Sequence, residues 1–347
     1  MSSTMPSVHD IARVARTSIG TVDRVLHNRG RVSPKTRARV MAVIQRLGYK
    51  PNIYARNLSL ARTFTFGVLM PFRSQDGTYW ALPARGIRRA EEELSPYRVY
   101  VRTFHFDRYS EKSFWSAAQR CADAKVDGLL LAPVLQDSAQ SALRSLFDHI
   151  PYVFFDSSVP HTHPLTIVWQ DPFQSGVLAG ELMRRLLPAG GQIAAVKVTP
   201  ADNHIESRIR GFMGSFSGER KYRIEILEAD SKNEALLSRT VPLQILQSRK
   251  KYRGVFVSNA WTHPLAKCFR RNADSHIALI GYDLIPENRI SLEKGAIDFL
   301  ISQRPAMQGH LGIMALYRSV VLREKVAKDV TVPLDIVTKE SYRYYTD

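Results

Sequence analysis

Four apolar runs in this sequence end on, or just before, a side chain that can hold a ligand by directed hydrogen bonds. PYVFFD ends on Asp156, GVFVSN on Asn259 and IALIGYD on Asp283, while Gln303 follows IDFLIS. Carboxylates accept and amides both accept and donate. The C-terminal ends of strands are also where open α/β sheets place ligands. Tyr79 and Trp80 form an aromatic pair just ahead of an amphipathic helical stretch. A catalyst would need a positioned base, nucleophile or metal, and the motifs for these are missing. There is no phosphate loop, no G-x-S-x-G and no G-x-G-x-x-G after a strand. His161-Thr162-His163 sits between prolines without an obvious third ligand, and Ala189-Gly190-Gly191 precedes a strand and reads as a turn. The expectation is therefore a binding protein with no catalytic residue, no metal and no cofactor.

A second chemistry, phosphate contact, is concentrated at the N-terminus. Met1 to Arg62 carries twelve Lys/Arg against two Asp/Glu, which is +10 of the chain's +17. A basic head on a nearly balanced body is the electrostatic footprint of nucleic-acid binding. Caps and apolar spacing predict three helices to shape it. Ser7 caps the first, with Val8, Ile11, Ala12 and Ala15 inside. Ser18 caps the second, whose inner face is Val22, Val25 and Leu26, leaving Ile19, Gly20, Asp23, Arg24 and Asn28 outward. Ser33 caps the third, Pro34 takes its first position, and Val40, Val43, Ile44 and Leu47 form its stripe. This is a helix-turn-helix buttressed by a third helix, with the second free to enter a major groove.

Downstream of Phe66, short apolar runs alternate with amphipathic stretches: FGVLMP, YRVYVRTF, DGLLLAPV, PYVFFDS, LTIVWQ, IAAVKV, YRIEIL, GVFVSN, IALIGYD and IDFLIS. That alternation implies doubly wound parallel sheets. Ten runs exceed one compact sheet, so two lobes are expected, with the break at SSVPHTHPL between Pro160 and Pro164. No run reaches the length of a membrane span and the N-terminus lacks an apolar signal core, so a cytoplasmic protein with no membrane contact is expected. Cys121 and Cys268 fall in helical stretches and read as packed thiols.

The run from Val8 to Leu58 resembles the head of the lactose/galactose-repressor family. It carries D-I-A-x-x-A, then S-x-x-T-V-x-R-V, then R-V-S-x-x-T-R-x-R-V, then G-Y-x-P-N-x-x-A-R-x-L. The rest resembles, more loosely, the type I periplasmic sugar-binding fold that follows the head in that family. Arg16 departs from the usual turn glycine, Asp23 from a small serine, Ala260 from an aspartate, and Pro83 stands in a helix that normally has none. The resemblance implies an α/β protein: an all-α helix-turn-helix head over 1–50, a hinge helix and linker over 51–62, and a two-lobed, doubly wound effector and dimerisation domain over 63–347. The lobes would be about 63–158 with 291–323, and 163–285 with 329–343, crossing near 157–164, 284–292 and 323–330.

For DNA the resemblance implies contacts from Ser18, Ile19, Gly20, Thr21, Asp23, Arg24, Asn28, Arg31, Ala55 and Leu58, the last as a minor-groove wedge. For an effector it implies Tyr79, Trp80, Asp156, Arg208, Asn259, Asp283 and Gln303 in a cleft between lobes. Arg208 matches R-x-x-G-F and would donate to hydroxyls or a carboxylate, and the rings would stack on a sugar face. The plainer roles are turn formers for the aspartates, a surface ion pair for Arg208 and lobe core for the rings. The implied partners are a pseudopalindromic operator in double-stranded DNA, a sugar or sugar derivative, and a second copy in a homodimer. VTVPLDIVT is followed by KESYRYYTD without a heptad repeat, so a dimer and not a tetramer is expected. A sugar-binding protein of a transporter, or a sugar-modifying enzyme with a DNA-binding appendage, is the alternative.

Overall fold

A computed structural model describes residues 8–26, 30, 32–47, 62–200, 202–249, 251–272 and 276–345. The expected cap Ser7, the expected DNA contacts Asn28, Arg31, Ala55 and Leu58, and the expected hinge up to Ala61 lie outside the described residues. The chain divides into two compact units, Met1–Ala61 and Arg62–Asp347.

In the first unit, α1 (Val8–Val14), α2 (Ile19–Leu26) and α3 (Pro34–Leu47) follow the apolar spacing. Ile11, Ala12, Ala15, Val22, Val25, Val40 and Val43 form one buried cluster, with Leu26, Ile44 and Leu47 packed at its edge. Both described caps are made: Ser18 Oγ accepts from Thr21 N–H and Ser33 Oγ from Thr36 N–H, each at 3.2 Å. α1 ends in a Schellman motif, with Arg16 N–H donating to Arg13 O and Thr17 N–H to Ala12 O. That geometry needs a left-handed residue, and Arg16 supplies it at φ 47°. A side chain there costs energy that glycine avoids. Arg16→Gly should therefore stabilise the head by about 1 kcal/mol, read as a several-fold rise in amide exchange protection across α1 to α3; reduced protection would contradict this turn.

The second unit begins with β1 (Phe64–Pro71), α4 (Ala81–Leu94), β2 (Val99–Phe106), α5 (Glu111–Asp123), β3 (Gly128–Leu131), α6 (Gln136–Ser145), β4 (Tyr152–Phe155) and β5 (Ile167–Trp169). It continues through α7 (Pro172–Leu186), β6 (Gly191–Thr199), α8 (Asn203–Gly214), β7 (Tyr222–Asp230), α9 (Glu234–Gln247), β8 (Gly254–Val257), α10 (His263–Asn272), β9 (Ala278–Tyr282) and α11 (Pro286–Glu293). The last elements are β10 (Phe299–Ser302), α12 (Pro305–Leu316), β11 (Asp329–Thr331) and β12 (Asp335–Val337). All ten apolar runs become strands. They form two six-stranded sheets, β11-β5-β4-β3-β1-β2 and β12-β10-β9-β8-β6-β7. Every described pairing is parallel except β10 with β12.

The lobe boundaries differ from those expected. β5 pairs with β4 in the first sheet, Phe154 opposite Ile167, so the proline-bracketed stretch is a connection inside that lobe and not a crossover. β10 belongs to the second sheet and β11 to the first. The chain therefore crosses at 170–171, 303–304 and 332–334. A polar, proline-rich loop looks the same in sequence whether it joins two strands of one sheet or two lobes; only the hydrogen-bond ladder distinguishes them. Gln170 ties the three crossings together, its buried Nε2 donating to Ser302 O at 2.7 Å and Pro333 O at 3.4 Å.

Candidate functional site

Parallel strands point their C-terminal ends one way, and the facing ends of the two sheets bound a small, partly open cavity. Asp156 directly follows β4, Asp283 follows β9, Gln303 follows β10, and Asn259 lies two residues beyond β8. Asp156 and Asp283 adopt left-handed backbone, φ 70° and 60°, which turns the chain sharply at the strand end and which aspartate tolerates better than most residues. Tyr79, Trp80 and Arg208 complete the expected set. All seven line the one cavity.

Arg208 reaches it from the buried face of α8 and not from a strand-end loop. Its position depends on α8 lying close against α7. A Cβ on Gly176 would stand 2.1 Å from Arg208 O, and one on Gly211 2.1 Å from Phe173 O, so glycine at both contacts permits the approach. The guanidinium, 1% exposed, lies 4.0 Å over the Tyr282 ring and donates to Ser258 O at 3.0 Å and to Gln303 Oε1.

One string of hydrogen bonds runs across the cavity floor from lobe to lobe. Tyr79 OH donates to Asp156 Oδ1, and Asp156 N–H donates to Gln308 Oε1 at 2.8 Å. Gln308 Nε2 donates to Gln303 O at 2.8 Å, and Gln303 donates through N–H and Nε2 to the two oxygens of Asp283, at 3.1 and 2.6 Å. A second network closes the other side. Asp76 accepts from Trp80 Nε1 at 2.7 Å and pairs with Arg108, while His204 Nδ1 lies 2.7 Å from Asp202 and 3.9 Å from Asp156. The lobes also touch at the rim, where Tyr109 OH meets Ser231 Oγ at 2.8 Å and Asn203 Nδ2 donates to Ser158 O at 3.4 Å.

Asp76, Arg108, Asp202 and His204 were not singled out in the sequence. They obey the same rule, since they follow β1, β2 and β6; the apolar runs there end in longer loops that hide the match. Asp202 also caps α8, accepting from Ile205 N–H at 3.4 Å.

Burial shifts the acids. It pushes the Asp283 carboxyl up to about 7 against the pull of the Gln303 donors and Arg208. It also raises Asp156, opposed by His204, and holds the Tyr79 phenol well above its ordinary value, with the charges of Asp156 and Asp283 adding to the effect. Burial would likewise raise Asp202, but His204 and Arg108 outweigh it and hold that carboxyl low.

On the head, Ile19 is 45% exposed and Gly20, Asp23 and Arg24 are exposed along one side of α2. Arg24 Nε donates to Gly20 O at 3.1 Å. Ser18 and Thr21 are engaged with each other at the helix start, Oγ to Oγ1 at 2.9 Å. His161 and His163 lie outside the cavity lining, in the connection between β4 and β5.

A family profile described as bacterial regulatory proteins, lacI family, matches residues 7–52, and one described as periplasmic binding protein domain matches residues 66–323. The chain belongs, over most of its length, to the periplasmic binding protein domain family, and its head matches the lacI family. The HTH-type transcriptional regulator DegA of Bacillus subtilis is 29% identical over 209 residues, covering 59% of this chain and 59% of that protein. The HTH-type transcriptional repressor PurR of Edwardsiella ictaluri is 26% identical over 294 residues, 82% of each. In fold, the chain is similar to an ABC transporter solute binding protein from Burkholderia graminis solved in complex with D-arabinose, with TM-score 0.75 and 17% identity, covering 83% of this chain and 99% of that one. The left-handed turn at Arg16 accounts for the glycine usual at that position, and nothing in the structure explains the arginine. Ala260, standing where an aspartate is common, lines the cavity beside Asn259.

Proposed function

We propose that this chain is an effector-responsive transcriptional regulator, acting as a repressor, that binds a pseudopalindromic operator as a homodimer and holds a carbohydrate or related small molecule between its lobes. The observation that carries the reading is the pairing, on one chain, of a helix-turn-helix with an open reading face and a cavity lined by hydrogen-bonding groups from both lobes. Regulators among the relatives support the first half, and the D-arabinose complex of a protein with the same fold is in keeping with the second.

In this reading Arg24, Thr21 and Ser18 meet phosphates or base edges, Ile19 suits a thymine methyl, and Asp23 accepts from cytosine N4. Asn28, Arg31, Ala55 and Leu58 remain assigned by resemblance. Tyr79, Trp80, Asp156, Arg208, Asn259, Asp283 and Gln303 hold the effector. A ligand that bonds groups of both lobes favours the closed arrangement by its differential affinity, and that bias is what the head would respond to. No residue is assigned a catalytic role.

The test is selection of duplexes from a random pool by the purified full chain. The expected product is a site with two-fold related half-sites carrying two chains. Arg24→Ala should weaken binding to it by about 10- to 100-fold at fixed salt. Unchanged affinity would show that α2 is not the reading helix.

A further inference from the structure

The charges around the cavity narrow what it can hold. Four carboxylates line it, those of Asp76, Asp156, Asp202 and Asp283, against two guanidiniums, Arg108 and Arg208. Neither cation is uncommitted: Arg108 is paired with Asp76 and donates to Pro200 O, and Arg208 is held by Gln303 and Ser258 O. The start of α8, the helix end nearest the cavity, would ordinarily attract an anion through its free N–H groups. Here Asp202 already occupies that position with its own carboxylate. A phosphate or carboxylate entering this space would meet four carboxyl groups, while both guanidiniums already hold a protein acceptor and keep only their Nε donors open.

The acids are not uncompensated enough to demand a cation either. Asp202 has His204 beside it, Asp283 accepts two donors from Gln303, and Asp156 accepts the Tyr79 hydroxyl. What is left over is hydrogen-bonding capacity. Asp76 Oδ1 is a buried acceptor without a partner, and the Nε groups of Arg108 and Arg208 are buried donors without one. Asp156 Oδ2 has His204 only at 3.9 Å. Acceptors and donors side by side are satisfied together by hydroxyl groups, each of which donates once and accepts. The Tyr79 and Trp80 rings supply the apolar wall that such a ligand's carbon face needs.

Resting on the effector-binding reading above, we infer that the effector is an uncharged polyhydroxylated molecule, and that Asp76, Asp156 and Asp202 act as specificity residues that exclude its phosphorylated and acidic counterparts. The test is calorimetric titration of the ligand-free full chain at pH 7.5 with three matched sets. They are neutral pentoses, hexoses and their alditols; the same compounds as phosphates and as aldonic or uronic acids; and the same as amino sugars. A neutral compound should bind tightest, and its anionic and amino counterparts should each bind about 100-fold more weakly or worse. Asp156→Asn should narrow the gap between the neutral compound and its phosphate by about 10-fold, whatever it does to absolute affinity. Tighter binding of any phosphate, acid or amine than of its neutral parent would overturn the inference, as would no binding by all three sets. Because the operator selection uses DNA alone, either of those results would leave the reading as a DNA-binding regulator to stand or fall on its own test.

Discussion

Arg208→Ala should lower the melting temperature of the ligand-free protein by about 10 °C and abolish its thermal response to any effector. The guanidinium bonds Gln303, which in turn holds Asp283, it satisfies Ser258 O, and it covers the Tyr282 ring. Removing one partner of such a buried network leaves the others desolvated and unpaired, at about 3–5 kcal/mol. For a unit of this size each kcal/mol is worth roughly 2–4 °C. Because Arg208 lies inside α8's packed face, its deletion reaches the ligand-free fold as well as the ligand. Calorimetry of the wild type and variant decides it. A melting temperature within a degree of wild type would mean that the network carries no weight in the fold.

Asp283→Asn should flatten the decline of stability between about pH 4 and pH 7. The carboxyl is fully buried and is pushed up to about 7, whereas in the unfolded chain it ionises near 4. Below that window both states are protonated and the residue contributes no pH dependence. Within it the unfolded chain has lost the proton and the folded one keeps it, so each pH unit costs the fold about 1.4 kcal/mol. Above about 7 the loss is complete, at about 4 kcal/mol. Asp156, raised in the same direction, adds to the slope, and Asp202, held low, opposes it at the acid end. Urea unfolding from pH 4.5 to 8 should show wild type falling more steeply than the variant. Parallel curves would sink the assignment of Asp283 as the group responsible.

Much of this protein was determined by the sequence alone, because the signals are local. Helix caps at Ser18 and Ser33 and the apolar stripes of the head act within a few residues, so the three helices and their buried faces could be read directly. The ten apolar runs became ten strands for the same reason. Even the cavity was partly legible, since parallel strands gather their C-terminal ends and Asp156, Asn259, Asp283 and Gln303 stand at those ends. Tertiary structure alone decided which sheet each strand joined, and so placed the crossings at 170–171, 303–304 and 332–334. Pairing depends on hydrogen bonds between segments far apart in the chain, which no window of sequence contains. The same holds for the partners of the site. Asp76 finds Arg108 across neighbouring strands, His204 finds Asp156 across the two lobes, and Arg208 enters the cavity only because Gly176 and Gly211 let two helices touch. Those residues carry ordinary local signals of turn, cap and surface charge. Their chemistry arises from burial and company, which are properties of the folded chain.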